Sequence, residues 1–530
     1  MAVEYRKNKN TDLFKDFSTV LEVQRAQNYI PIYGRFFALN QTNWNNVTLD
    51  HKWTLASVAK GEGPHYTCTV SGEETRTAQV FFKFSPLIDA SKYLCGTHKD
   101  YDYTLPSLEA APHKKMADVN NAAYIDAFFY YLTSRSLHAG FAHGLDFYGS
   151  YLGIKNGFRF NMEDDAQFIL NSTFFKSNKD KLFSANIEVS DEGMSCRNRG
   201  RLEMSDLADV DLGVEDLCSD LGVEVLDAEV LDAKKVDAVE DALEEVESLE
   251  DVAPEDEERP SRCSSATSNT SRETEETETL EDDEDSSEGT FEEVFATINQ
   301  FPVQVIALEA CDDTLDSILD KMKPEELASA LMQVVLTLLF YQHAYQFTHN
   351  DLHTNNIMFV ATDEPFLYYS YKDTAYKVPT FGKIFKIIDF GRSIYTFNGN
   401  RYMSDSFSDE GDAATQYNTE PYFNEKKPRI DPNYSFDLCR LACSMVEVLP
   451  DTEAFGPLND LIEDWCSDDK GRNVVFKQNG AERYPNFKLY KMIARTVHAH
   501  TPESQLRKPI FQQYIVKKKK LKNEKVMVIP

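Results

Sequence analysis

Two short stretches carry side chains that could act on a phosphate. The first is His349-Asn350-Asp351-Leu352-His353-Thr354-Asn355-Asn356, with the spacing H-x-D-x-x-x-x-N. A carboxylate on such a loop can accept or orient a hydroxyl proton, and the later Asn can hold Mg²⁺. The loop must turn back on itself to bring both side chains to one phosphate, so the spacing has to be short and fixed. The second stretch is Lys386-Ile387-Ile388-Asp389-Phe390-Gly391, an apolar run ending in D-F-G. Its Asp can bind a Mg²⁺ that bridges nucleotide phosphates, with the Phe packed beneath and the Gly allowing the turn. An Asp-x-Gly turn after a strand is common by itself. Both stretches together, in this order, point to phosphoryl transfer.

Regular elements must hold these loops in place. The first loop follows a strong helical pattern at 324–346. The alternating run Ala78–Phe84 (AQVFFKF) reads as a strand. NNAAYIDAFFYYLTSRSL, 120–137, reads as a helix with aromatic residues on one face and Asp126 as its only acid.

With these motifs, the chain resembles the protein-kinase superfamily. More narrowly, it is similar to serine/threonine kinases encoded by large DNA viruses. The resemblance covers roughly 30–155 and 291–450. It implies an α+β, bilobal fold with a small antiparallel-sheet N-lobe and a helical C-lobe, interrupted by a long acidic disordered insertion. It also implies ATP and Mg²⁺ as cofactors. Lys83 would hold the α/β-phosphates, Asp351 would act on the acceptor hydroxyl, and Asn356 and Asp389 would hold the metal. FPVQVIALEACDDTLDSIL, 301–319, would supply a strand and hinge, with Glu309, Ala310 and Cys311 binding adenine through the backbone. Asp437, in SFDLCRLA, would pin the catalytic-loop backbone. Asp126 is the candidate partner for Lys83. Each residue also has a plainer reading. Lys83 could be an exposed strand lysine, a reading that order and spacing within the kinase frame weaken; Asp437 could be a helix N-terminal acid, and Asp126 a capping or solvent residue. Cys311 reads as structural, and His349 as a residue that shapes its loop.

The chain departs from the kinase pattern at several points. No G-x-G-x-x-G precedes Lys83, and Gly61-Glu62-Gly63 has the wrong spacing, so the lid over the phosphates must differ. Asn350 stands where an Arg usually answers a phosphorylated activation loop, so switching by that route is not expected. His353 replaces the frequent Lys two residues after the Asp. Glu420-Pro421-Tyr422 only partly echoes A-P-E. Asp389 follows Asp351 by 38 residues, which places a hairpin insertion at 363–382. Three functions fit: a protein kinase, a small-molecule or atypical kinase on the same fold, and a pseudokinase or scaffold. Retention of Lys83, Asp351, Asn356 and Asp389 together weighs against the scaffold, and the full D-F-G favours a protein kinase over a small-molecule kinase.

The 530 residues carry a net charge of −33, but 33 of the 88 acids and only 6 of the 55 Lys and Arg lie in 201–290. That segment alone is −27 and the remainder only −6, so the folded part is near neutral. Such a balance argues against a duplex-DNA binder, which needs concentrated cations. The expected order is an N-terminal extension 1–29, N-lobe 30–187, acidic insertion 188–290, last strand and hinge 291–311, C-lobe 312–510 and basic tail 511–530. The insertion repeats DLGVE at 211–215 and 220–224 and then loses all aromatic residues. Its second half should be disordered. Its serines beside acidic runs (Ser264, Ser265, Ser268, Ser271, Ser286 and Ser287) are candidate phosphoacceptors, for this kinase itself among others. Nine scattered cysteines without a C-x-x-C suggest a reducing compartment. Cys439 and Cys443, at i and i+4, read as core residues. The N-terminus is too polar for a signal peptide, and no run of 18 apolar residues suggests a membrane span. The expected location is cytoplasmic (the host cell's, or the virion, if the viral resemblance holds). Protein substrates are the expected partners, with no specific nucleic acid, and the sequence leaves the oligomeric state open.

Overall fold

A computed structural model describes residues 2–61, 64–110, 113–186, 294–446 and 448–530, which belong to one compact unit. The acidic insertion, with its expected disorder and phosphoacceptor serines, lies outside the described residues. The main elements in chain order are α1 (Thr11–Thr19), β1 (Val23–Gln27), β2 (Thr54–Ala59), β3 (Tyr66–Ser71) and β4 (Thr75–Pro86). Next come α2 (Ala122–His138), β5 (Phe147–Asn161), β6 (Phe295–Glu309) and α3 (Pro324–Tyr345). β7 (Ile357–Ala361), β8 (Phe366–Tyr371), β9 (Thr374–Pro379) and β10 (Lys383–Ile387) follow. The last helices used below are α4 (Phe436–Cys443), α5 (Gly456–Trp465) and α6 (Lys488–Thr496).

The largest sheet has the order β1-β5-β6-β4-β3-β2, with the short strand Phe183–Ala185 pairing β6 off this path. Its pairings are antiparallel. Strand alternation decides what each face receives. In β4, Val80 and Phe82 are buried on one face, where Phe17 of α1 packs edge-on against Phe82. Lys83, the next residue, therefore points to the opposite face. α2 lies on that side and is buried almost all round, from Ala123 to Ser134. This differs from the expected single aromatic face. The helix is enclosed by the sheet and by the C-terminal half, so Phe129, Tyr130 and Tyr131 all need to be apolar or bonded.

α3 begins with Pro324 at its first turn and ends at Gln346, which takes a left-handed φ of 49°. The helix is long and apolar enough to cross a membrane, but 83% of its most apolar window is buried inside the fold. A central core helix accounts for that composition. Behind it, β7 and β10 pair antiparallel and bring the two motif loops side by side. The expected hairpin between the motifs is present as β8 and β9.

Several expected boundaries look different in the fold. The stretch expected as an N-terminal extension supplies α1 and the edge strand β1. The basic tail supplies Ile515–Val516 beside β9 and Val526–Val528, parallel, beside β8. The region expected to be a helical lobe thus also carries three small sheets. The described structure is a mixed α and β fold whose sheets are antiparallel apart from that short parallel pair.

Candidate functional site

Lys83 leaves β4 and is 6% exposed. Its Nζ lies 2.7 Å from Asp126 Oδ2 and 3.0 Å from Asp389 Oδ1. The Tyr130 ring centroid is 5.7 Å away. One turn apart on α2, Asp126 and Tyr130 both reach the D-F-G turn. The Phe390 N–H donates to Asp126 Oδ1 at 2.8 Å, and the Asp389 N–H donates to the Tyr130 hydroxyl oxygen at 2.8 Å. Asp389 has a left-handed φ of 62°, which swings its carboxylate toward Lys83. Phe390 is fully buried against Phe129, Tyr130 and Phe347. Burial pushes the Asp126 carboxyl up to about 6, against the pull of Lys83 and with a further push from Asp389. Burial works against the Lys83 charge, but the two carboxylates outweigh it and raise its pKa.

The catalytic-loop candidate is held from below by α4. Asp437 accepts the N–H groups of His349 and Asn350, each at 2.9 Å. Burial raises the Asp437 carboxyl, opposed by His349 and those two donors. The Asp351 N–H donates to His349 Nδ1 at 3.3 Å, so His349 Nε2 carries the proton given to the Ile388 carbonyl at 2.8 Å. Asn350, at φ 65°, turns its amide inward. It donates to the Arg392 carbonyl at 3.0 Å and accepts the Tyr417 hydroxyl at 2.7 Å. The residue that replaces the usual Arg is thus committed to local bonds.

Asp351 is 4% exposed. Its Oδ1 accepts the Tyr490 hydroxyl at 2.7 Å, and its Oδ2 lies 3.4 Å from Arg392 Nη1. The other Arg392 nitrogen pairs with Asp412 at 2.7 Å. Burial would raise the Asp351 carboxyl. Arg392, His353, Arg440 and the Tyr490 hydroxyl together overcome this and pull it down to about 2. Burial lowers the His353 pKa, which favours a neutral ring.

A cavity of about 260 Å³ is lined by Lys83, Asp126, Asp389, Asp351, Arg392 and Asp412, among others. Asn356 does not line this cavity, but its side chain is tied to the backbone of Asp351, which does. Its amide nitrogen donates to the Asp351 carbonyl at 2.9 Å and to His353 Nε2 at 3.1 Å. Both amide protons are then used, and the oxygen is the atom left for a cation. Among the described residues, no three His, Cys, Asp or Glu side chains form a metal cluster. That pattern still fits Mg²⁺, which takes one or two protein oxygens and completes its shell with water and phosphate. Asp389, which lines the cavity, can supply one such oxygen.

The three hinge residues do not line this cavity. The Glu309 carboxylate takes Lys386 at 2.7 Å and the Asp146 N–H at 3.1 Å. The Ala310 N–H reaches the Gln79 carbonyl at 3.4 Å. The Cys311 thiol is buried and pushed up to about 12 by that burial, which makes it a packing group. Gly61 sits in the turn between β2 and β3, where a Cβ would overlap the His65 carbonyl. Sequence reasoning missed Tyr130, Arg392, Asp412 and Tyr490. Arg392 directly follows D-F-G and could have been flagged. Nothing in the sequence ties Tyr490 to a loop 139 residues away.

No family model matches the chain. It is 29% identical over 124 residues to a protein described as a serine/threonine-protein kinase haspin homolog, from Drosophila melanogaster. The match covers 23% of this chain and 21% of that relative, so the chain spans about a fifth of the relative's length. The likeness points to a protein-kinase-like relation.

Proposed function

We propose that the chain is an ATP- and Mg²⁺-dependent protein kinase that transfers the γ-phosphate to Ser or Thr hydroxyls. One observation carries this reading: Lys83, Asp126, Asp389 and Asp351, drawn from four separate elements, converge on one cavity. In this reading β1–β6 with α2 act as an N-lobe and the rest as a C-lobe. Lys83, kept charged by two carboxylates, holds the α- and β-phosphates. Asp389 and the Asn356 oxygen hold the metal, which neutralises phosphate charge when bound. Asp351, kept ionised, orients the acceptor hydroxyl and takes its proton. The protein's contribution is positioning and electrostatics rather than covalent chemistry. The choice of Ser or Thr as acceptor follows the likeness to the insect serine/threonine-kinase homolog. The adenine contacts expected at Glu309, Ala310 and Cys311 lie outside this cavity, with the Glu309 and Ala310 N–H groups taken by the Asp146 and Gln79 carbonyls, so the proposal does not rest on them.

The test uses the purified full chain with radiolabelled ATP and Mg²⁺, offered itself, a casein-like protein and small alcohols. Label on protein Ser or Thr, absent in Asp351→Asn, is the expected result. Label on the alcohols alone would assign a small-molecule kinase. ATP binding with no transfer to any acceptor would assign a pseudokinase.

A further inference from the structure

The Tyr490 hydroxyl touches Asp351, and chemistry fixes the direction of its proton. Arg440 Nε lies 2.9 Å from the Tyr490 oxygen and can only donate. The hydroxyl therefore accepts from Arg440 and gives its single proton to Asp351 Oδ1. The ring cannot easily turn away. It is 4% exposed, with the Arg440 and Arg392 guanidinium carbons 5.1 Å and 5.7 Å from its centroid. Phe487 stacks on it at 5.3 Å. Asp351 lines the cavity and Tyr490 does not, so the hydroxyl meets the carboxylate from the protein side. α4 also serves the loop twice. Asp437 holds its backbone, and Arg440, one turn later, reaches its carboxylate through Tyr490.

We infer that Tyr490 is a positioning residue for phosphoryl transfer: its hydroxyl fixes the Asp351 carboxylate in one orientation, leaving the cavity-facing lone pairs to the acceptor hydroxyl. The inference rests on the kinase reading and adds a residue to it. Arg392 holds the other carboxylate oxygen only at 3.4 Å, so without the hydroxyl the carboxylate meets the acceptor in the right geometry only part of the time. Displacements near 1 Å can cost about 10²-fold in rate.

Tyr490→Phe in the full chain removes the hydroxyl and keeps the ring. The expected result is a kcat about 10- to 100-fold lower, with the KM for ATP within about twofold because Lys83 and Asp389 are untouched. Arg440→Met should lower kcat as well, and the double variant should be no worse than Tyr490→Phe, since both act through one chain of bonds. A second readout does not need turnover. Carbodiimide labelling of carboxyl groups, mapped by mass spectrometry, should rise several-fold at Asp351 in Tyr490→Phe and stay constant at Asp126. Unchanged kcat and unchanged labelling would overturn the inference while leaving the kinase reading intact. A loss of kcat matched by an equal rise in the KM for ATP would overturn it too, since that marks general damage to the cavity. If the wild-type chain transfers no phosphate, the kinase reading and the catalytic role fall together. Labelling then still decides whether Tyr490 holds Asp351.

Discussion

Two charge clusters share one cavity and are built with opposite polarity. At Lys83, one cation lies between two carboxylates. At Asp351, one carboxylate lies among Arg392, Arg440 and a hydroxyl whose proton is aimed at it. Burial is nearly complete in both and disfavours every charge equally. The neighbours then decide whether burial wins. At Asp126 burial prevails over the pull of Lys83, helped by Asp389, and pushes the carboxyl up to about 6, whereas at Asp351 the cations Arg392 and Arg440 with His353 overcome burial and draw it down to about 2. The first cluster can change its charge near neutral pH, and the second cannot.

The largest expected effect is at the second cluster. Asp351→Asn should lower kcat by about 10³-fold or more, within the usual range for a lost base with its orientation role. ATP binding should survive, because Lys83 and Asp389 stay paired. Isothermal titration beside the transfer assay checks both halves. Full phosphotransfer in this variant would remove Asp351 from the mechanism and collapse the contrast.

Next is the support beneath that cluster. Asp437→Ala leaves the buried N–H groups of His349 and Asn350 without an acceptor. Each such orphan costs about 1–3 kcal/mol. Thermal unfolding should show a clear drop in Tm together with loss of transfer. If stability is unchanged, another group or water takes over the two donors, and the loop is less tightly held than the geometry indicates.

What the sequence made legible follows from this difference in construction. Asp351, Asn356 and Asp389 are spaced by the turns of their own loops, so local chain geometry reveals them. Lys83 and Asp126 were reachable too: strand alternation turns Lys83 away from Val80 and Phe82, and α2 offers a single acid. The partners of Asp351 were not reachable in that way. Tyr490 sits in an amphipathic helix where a tyrosine reads as core, and only the packing of α6 on α4 brings it to the loop. The tail strands escaped for a further reason. Two or three residues flanked by lysines have no strand pattern of their own, and their register is set by the β8–β9 hairpin they join. The same limit applies to α1, whose place is set by the sheet face it covers.

The titration of Asp126 gives a subtler way to test the contrast. As pH falls through about 6, Asp126 takes a proton and Lys83 loses its nearest partner. kcat/KM for ATP should therefore decline below about pH 6. Stability runs the other way. A carboxyl raised in the folded state contributes fully below its unfolded value of 3.8, and that contribution is lost as pH rises through about 6. The Tm of the wild-type chain, relative to Asp126→Asn, should thus fall between about pH 4 and 6. Asp351→Asn should leave this trend intact, since Asp351 titrates well below that window. Identical pH profiles for wild type and Asp126→Asn would show that both clusters keep fixed charges.

The smallest expected effect lies outside both clusters. The chain leaves the described fold at Asn186 and re-enters at Val294, and the two ends are already tied together. The Asn186 N–H donates to the Phe295 carbonyl at 3.2 Å, and the Phe295 N–H donates to Asn186 Oδ1 at 2.8 Å. Phe183–Ala185 also pairs with Ala296–Ile298. A short connection can therefore replace the long one without moving either strand. Deleting 195–288 leaves roughly a dozen residues to span the gap. By chain statistics, each halving of a flexible loop recovers about 0.6 kcal/mol, so three halvings give at most about 2 kcal/mol of added stability. In a fold of this size that is a rise in Tm of a few degrees. Activity on an outside protein substrate should be retained, because no residue of the cavity is removed. Differential scanning calorimetry of the deleted chain beside the full one gives the answer. A clear fall in Tm would mean that the acidic segment packs on the fold, and the cavity would then have to be considered with that segment against it.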